Sequence, residues 1–244
     1  MSSIREQIES FGTWITRFDV EGVESGGTYD PSSDQRVCRF IAELRMYKLQ
    51  SSNGDRPLRI LECGSFEGAQ TAMLAQAFPH AQIIAVDVRQ DSIRKAKFLH
   101  SLRTITNIQY LQDDLDNPQF VFAETYDVIF CVGLLYHLRD PARFLARACA
   151  AAPFLWVWSL VCTEAEAVVS ENGYRGRMLA ETPDHPLSGI GSKSFIPTIS
   201  SLADMLWNAG YQTIELLEKV MTTNGNGPAL LLQAQRGSSS FRTT

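Results

Sequence analysis

The chain has 244 residues, 45% hydrophobic and 20% charged, with a formal net charge of −5. This length and balance suit one globular domain with appendages and a full core, and the acidic total argues against a nucleic-acid partner. The five cysteines, Cys38, Cys63, Cys131, Cys149 and Cys162, show no C-x-x-C spacing, so neither a disulfide framework nor a metal site is expected, and a cytoplasmic setting is.

The start of the chain lacks the apolar run of a signal peptide. Its most apolar segment, Phe154 to Cys162, is far shorter than the roughly 20 residues of a spanning helix, so no membrane partner is expected. Residues 1–10 suit a short helix. The stretch that follows is aromatic and glycine-rich with no clear period. Phe11, Trp14, Phe18 and Tyr29 within it suit either core filling or a lid over a ligand. From Asp34 to Gln50, Val37, Ile41, Leu44 and Tyr47 recur at helical spacing. S-S-N-G-D-R-P then breaks the chain. Residues 1–54 are therefore expected to form a helical or lid segment ahead of a main domain spanning 55–236.

Leu58, Ile60 and Leu61 make a short apolar run that reads as a buried strand. It leads through Glu62 into a turn with Gly64 and Gly68, and A-Q-T-A-M-L-A-Q-A-F opens a helix. Strand, glycine turn and helix together form a cradle for a nucleoside, since glycine admits close approach and a helix start offers free N–H groups. A dinucleotide turn needs glycines at i, i+2 and i+5. Phe66 and Ala69 hold the later two positions, so that reading fails. What stands here is E-x-G-x-x-x-G. At these residues the chain resembles motif I of the class I S-adenosylmethionine (SAM) methyltransferases, in which a carboxylate at Glu62 suits a ligand bearing an ammonium group.

Q-I-I-A-V-D-V (82–88) is a second buried strand. Its Asp87 lies at the spacing beyond Gly68 where nucleoside-binding sheets place a carboxylate for the ribose hydroxyls. Capping of the next helix, D-S-I-R-K-A-K-F-L, is the alternative role. Asn107 to Asp114 is a third strand ending in acids. The resemblance implies that Asp114, or Asp113 in its place, meets the adenine amine while Leu115 covers the ring. It also implies a cofactor surface including Ser65, Phe66, Val88, Cys131 and Gly133.

Y-D-V-I-F-C-V-G (126–133) is the fourth strand, followed by L-L-Y-H-L-R-D-P and a helix with Phe144, Leu145, Ala148, Cys149 and Ala152 on one face. F-L-W-V-W-S-L-V is the fifth strand. Strands alternating with helices imply an α/β doubly wound, mostly parallel sheet, with ligands beyond the carboxyl ends of the strands. Glu62, Asp87, Asp114 and His137 all fall at those ends. Residues 162–197 form a long substrate-side insertion with little pattern. Ile199, Leu202, Ala203, Leu206 and Ala209 then mark a helix ended by Gly210. Y-Q-T-I-E-L-L-E and P-A-L-L-L-Q-A-Q are two last strands joined by T-T-N-G-N-G. The resulting seven-stranded, Rossmann-like sheet with an antiparallel C-terminal hairpin is similar to the class I methyltransferases. Residues 237–244 are expected as a loose tail.

Methyl transfer depends chiefly on holding nucleophile and methyl in line, with a base where a hydroxyl or amine must shed a proton. His137, beside Tyr136, is the candidate base, with packing or covering the cofactor as its alternative role. His185 is a second candidate. Trp14, Tyr29, Arg36, Tyr174, Arg175 and His185 are the candidate substrate contacts. Arg177 and Lys193 join Tyr174 and Arg175 as groups that suit an anionic substrate or a solvated face.

G-L-L-Y-H-L-R-D-P (133–141), S-F-I-P-T (194–198) and Trp14, Gly22, Val23 and Arg36 bring the chain close to the branch containing the tRNA wobble-uridine carboxymethyltransferases. That branch holds carboxy-SAM with basic residues. Here the matching positions are Thr16 or Arg17 and Leu230 or Leu231, which favours ordinary SAM. The expected activity is methyl transfer from SAM to an O or N atom of a small molecule. A tRNA-modifying enzyme using carboxy-SAM and a non-catalytic SAM-binding module are the alternatives. The sequence leaves the oligomeric state open.

Overall fold

The computed structural model describes residues 3–50, 56–221 and 227–237. The expected break at 51–55, most of the last hairpin turn and the tail from 238 lie outside the described residues. The chain divides into two compact units, Met1–Asp113 and Asp114–Thr244.

The first unit opens with α1 (Ile4–Ser10), started by a reciprocal capping box between Ser3 and Glu6. Two short strands follow, β1 (Asp19–Val20) and β2 (Val23–Glu24), then a 3₁₀ turn at Pro31–Ser33 capped by Asp30. Next come α2 (Gln35–Gln50), β3 (Arg59–Cys63), α3 (Ala69–Ala77), β4 (Gln82–Asp87), α4 (Gln90–Ser101) and β5 (Ile108–Gln112). β3 pairs with β4, and β4 with β5, both in parallel. Trp14 and Phe18, at 3% and 5% exposure, pack with Ile8 and Leu99. For these two aromatics the structure shows core filling. The Trp14 indole N–H donates to the Ile8 carbonyl at 3.0 Å, so its polar edge is satisfied inside the core.

The second unit holds β6 (Val128–Val132), a 3₁₀ turn at Leu135–His137, α5 (Pro141–Ala151) and β7 (Phe154–Leu160). β6 is buried at every position, as its apolar sequence requires of a central parallel strand. α5 starts on proline behind an Asp140 cap that accepts from the Arg143 amide. After β7 come β8 (Val169–Glu171), β9 (Tyr174–Ala180), β10 (Lys193–Pro197), α6 (Ile199–Ala209), β11 (Tyr211–Val220) and β12 (Ala229–Arg236). The main sheet has seven strands in the order β11-β12-β7-β6-β3-β4-β5. β6 and β7 are parallel, while β12 runs antiparallel to both β7 and β11. This is the mixed, Rossmann-like methyltransferase fold with its C-terminal antiparallel strands.

Residues 162–197, expected as an insertion with little pattern, contain a three-stranded antiparallel sheet of order β10-β9-β8. Asn172 and Gly173 turn β8 into β9 with φ of 52° and 85°, the two-residue left-handed turn whose twist suits a hairpin. A side chain at Gly176 would collide with the Ile196 carbonyl and the Phe195 ring, at 2.3 and 2.6 Å. Glycine is what lets β10 lie against β9 there.

Candidate functional site

In the first unit the turn after β3 is wound tightly around the end of β4. The amides of Gly64 and Ser65 both donate to the Val86 carbonyl, at 2.9 and 3.1 Å. The Phe66 amide donates to Asp87 Oδ2 at 2.8 Å, and the Arg89 amide to Oδ1 at 2.9 Å. Phe66 holds φ of 50°, a strained value for a bulky residue of the sort found at ligand-holding turns. Asp87 therefore does cap the following chain, yet an ionised carboxylate with two amide donors keeps lone pairs for further donors. Burial raises its pKa, and the Arg89 and Phe66 amides only partly offset that.

Gly68 serves packing. Its Cβ would stand 2.6 Å from Ala96 Cβ and 2.8 Å from the Tyr110 hydroxyl oxygen. Its carbonyl meets His100 Nε2 at 2.8 Å, and Tyr110 contacts His100 Nδ1 at 3.0 Å. The imidazole thus donates from Nε2 and accepts at Nδ1. No side chain caps the start of α3 behind Gly68.

Two polar side chains on this turn stand out. Glu62 is 1% exposed, and its Oε2 has no hydrogen-bond partner among the described residues. Burial pushes its pKa up to about 8, with Thr71 pulling the other way and the Asp87 charge adding to the rise. Ser65 Oγ is likewise buried without a partner. An orphaned carboxylate and an orphaned hydroxyl on one turn match a ligand end carrying both an ammonium and a carboxylate. Asp87, with acceptor capacity left, suits a vicinal diol. The residues present therefore fit SAM.

Glu67, treated as variable by the motif, proves to be the buried clamp of the unit. It accepts from the Ile15 and Thr16 amides, with Oε2 at 3.0 and 2.7 Å, and from Lys95 Nζ at 2.8 Å. Lys95 also donates to the Thr13 carbonyl and lies over the Trp14 ring. Tyr29 and Arg36 meet on Asp34: the phenol donates at 2.6 Å, the guanidinium at 2.6 and 2.8 Å, and Gln70 joins from α3 at 2.9 Å. Burial drives the Tyr29 pKa up, reinforced by Asp34. Val88 is half-buried, and its carbonyl accepts from Gln112. Asp113 is exposed, its amide donating to the Asp87 carbonyl at 3.2 Å.

In the second unit, Asp114 Oδ1 accepts from the Asp116 amide at 3.0 Å and Leu115 is buried. Cys131 is buried, its thiol pushed up to about 12 by desolvation, and Gly133 takes φ of 86° after β6. The 3₁₀ turn that follows presents Tyr136 and His137 with ring centroids 4.2 Å apart, and Trp158 stands edge-on to Tyr136 at 5.8 Å.

His137 has a partner that sequence reading missed. Its Nδ1 lies 2.9 Å from Glu181 Oε1, just beyond the end of β9. Glu181 also accepts from Ser194 Oγ at 2.6 Å, the Gly189 amide at 2.7 Å and the Ser188 hydroxyl. Burial raises the Glu181 carboxyl, but Ser188, Ser194, His137 and Gly189 outweigh it and hold the pKa below the usual range. Two other candidates in this region lie apart from the pair. Tyr174 and Arg175 sit at the opposite end of β9, roughly 20 Å along the strand. There Tyr174 accepts from Asn208 and Arg175 pairs with Glu164 at 2.8 Å. His185 is exposed, and its Nδ1 accepts from the Leu187 amide at 3.2 Å.

A family model described as a methyltransferase domain matches residues 60–152. Over these residues the chain is similar to methyltransferase domains. The ubiquinone biosynthesis O-methyltransferase of Yersinia pestis (strain Pestoides F) is 32% identical over 123 residues, covering 50% of this chain and 49% of that protein. The chain thus spans about half the length of the curated relatives it matches. Among solved structures, the N-terminal domain of EvdMO1 with S-adenosylhomocysteine (SAH) and D-fucose superposes with a TM-score of 0.81 at 23% identity, covering 96% of both chains. The Burkholderia thailandensis 1,6-didemethyltoxoflavin-N1-methyltransferase, with bound 1,6-didemethyltoxoflavin and SAH, gives a TM-score of 0.57 at 16% identity over 85% of this chain and 80% of that one. Among the described residues no group of three or more His, Cys, Asp or Glu gathers as a metal site, and no helix is long and apolar enough to cross a membrane.

Proposed function

We propose that the protein transfers the methyl group of SAM to a hydroxyl of a small molecule. The observation that carries this reading is the pair of unpartnered buried groups, Glu62 Oε2 and Ser65 Oγ, on the turn that also holds Asp87. When bound, SAM supplies a methyl on a positively charged sulfur, which leaves as a neutral thioether when an oxygen attacks the carbon. Glu62 takes the ammonium of the ligand, and Ser65 with the uncapped start of α3 takes its carboxylate. Asp87 accepts the ribose hydroxyl protons, and Asp114 or Asp113, with Leu115, meets the adenine. Phe66 and Val88 line the same ligand, with Gly64 and Gly68 shaping the turn, and Cys131 and Gly133 are the candidate cofactor contacts of the second unit. His137 accepts the proton that the acceptor hydroxyl sheds, and Tyr136 with Trp158 makes an aromatic wall beside it. Tyr29 and Arg36 act on the substrate side, while Trp14, a sequence candidate for the same role, serves the core of the amino-terminal segment.

Oxygen rather than nitrogen is favoured by the O-methyltransferase relative and by the sugar present in the EvdMO1 domain structure. The finer resemblance to the tRNA carboxymethyltransferases has less support. Thr16, Leu230 and Leu231 are buried and uncharged, and the one cation at these positions, Arg17, is paired with Asp30 at 2.6 Å, which weighs against a site for the extra carboxylate of carboxy-SAM. A cytoplasmic setting is part of the proposal.

The test supplies SAM with a radiolabelled methyl group to D-fucose, to simple phenols, to amines and to tRNA. Label is expected on a hydroxyl acceptor, with transfer falling on the order of 10²-fold in His137→Ala. Label on tRNA or on amines alone overturns the reading. Turnover of any kind rules out a non-catalytic module.

A further inference from the structure

We propose that Glu181 is the positioning residue for His137, holding the imidazole in the form that donates from Nδ1 and leaves Nε2 as the proton acceptor. This rests on the reading of His137 as the base. An ionised carboxylate only accepts, and each of its oxygens takes two donors comfortably. At Glu181 all of that capacity is used: Oε1 by His137 Nδ1 and Ser194 Oγ, Oε2 by the Ser188 hydroxyl and the Gly189 amide. The Ser194 and Gly189 contacts, at 2.6 and 2.7 Å, are those of donors on a charged acceptor. The ring nitrogen facing Glu181 must therefore carry a hydrogen. Among the described residues Nε2 makes no hydrogen bond, so in the neutral ring its lone pair is available. A base oriented by a third group is the recurring arrangement for drawing a proton from a hydroxyl.

The same network ties the base to the loop between β9 and β10. Phe195 donates its amide to the Leu138 carbonyl at 2.9 Å, next to His137, while its neighbour Ser194 holds Glu181. β10 thus fixes both members of the pair through consecutive residues. From the other side Gly189 closes down, and a Cβ there would stand 3.0 Å from the His137 carbonyl oxygen and 3.2 Å from Glu181 Cδ. The loop carrying Ser188 and Gly189 and the state of the imidazole are set together.

The decisive experiment is long-range ¹H–¹⁵N NMR of the full chain with labelled histidine at pH 8, with the His137 signal assigned by its loss in His137→Asn. His100 serves as an internal control, since its Nε2 faces the Gly68 carbonyl and its Nδ1 faces Tyr110. The wild-type spectrum is expected to show His137 protonated on Nδ1 and His100 on Nε2. In Glu181→Gln the His137 proton is expected to move largely to Nε2 while His100 is unchanged, which also shows that the fold is kept. In a methyl-transfer assay kcat falls by roughly 10²-fold with SAH affinity within twofold of wild type. Protonation of wild-type His137 on Nε2, or an unchanged Nδ1 proton in Glu181→Gln, overturns the proposal. The wild-type spectrum alone decides the first point if the variant does not fold. The spectra need no donor or acceptor, so the positioning role fails or holds apart from the methyltransferase reading.

Discussion

Glu62→Gln is expected to make the ligand-free protein more stable while weakening its hold on SAM. The wild-type carboxyl is 1% exposed, has an orphaned oxygen, and is pushed by burial up to about 8 from an ordinary 4.5. Its folded-state pKa is thus above its unfolded one. Between those values the unfolded chain has released a proton that the folded chain retains, so stability falls as pH rises from 4.5 to about 8. At pH 7 that interval is about two and a half pH units, and at about 1.4 kcal/mol per unit the penalty is about 3 kcal/mol. Glutamine keeps the shape and removes the ionisation, but it buries an amide needing partners of its own. A net gain of about 1–2 kcal/mol is expected, or several degrees in melting temperature at roughly 2–4 °C per kcal/mol. Thermal unfolding from pH 5 to 8 reads the effect. Wild type should lose stability relative to the variant as pH rises, and calorimetry should show SAH affinity reduced at least tenfold in the variant. A variant that is less stable at pH 7 with undiminished SAH binding would refute the reasoning.

Glu67→Ala strips partners from the Ile15 and Thr16 amides and from Lys95. Breaking such a buried pair is expected to remove about 4 kcal/mol of stability, read as a lower urea midpoint. His100 works in the opposite pH direction from Glu62. Burial lowers its pKa below 6.5, the Gly68 carbonyl pulls back, and the Arg103 charge lowers it further. The unfolded imidazole therefore takes a proton first as pH falls. The stability His100 provides is present above 6.5 and is lost below it, by up to about 1.4 kcal/mol per pH unit. Because the Glu62 and His100 slopes oppose each other, this one is read as the difference in unfolding free energy between wild type and His100→Asn from pH 5 to 7.

Three of the parallel strands were legible because their burial makes them apolar runs: I-L-E-C, I-I-A-V and V-I-F-C-V each became a strand with nearly every residue inside. Glu62 and Asp87 were legible for a related reason, being the charged residues at the ends of such runs. Residues 162–197 were not, because β8 and β9 are half-exposed and show no clean alternation. Asn172-Gly173 was nonetheless a readable hairpin signal within that stretch. Glu67 and Glu181 could not be found by local pattern at all. Each owes its role to donors far away in the chain, Ile15, Thr16 and Lys95 for one, His137 for the other. Trp14 illustrates the converse, since its ring reads equally as lid or core until the Ile8 carbonyl takes its N–H.

The central claim is that the turn from Glu62 to Gly68, together with Asp87, holds an adenosyl ligand. Isothermal titration of SAH into wild type and Asp87→Ala tests it most directly, with thermal unfolding confirming that the variant is folded. Micromolar binding to wild type and loss of at least tenfold in affinity in the folded variant are expected. Equal affinity in both proteins, or no binding to either, would contradict it.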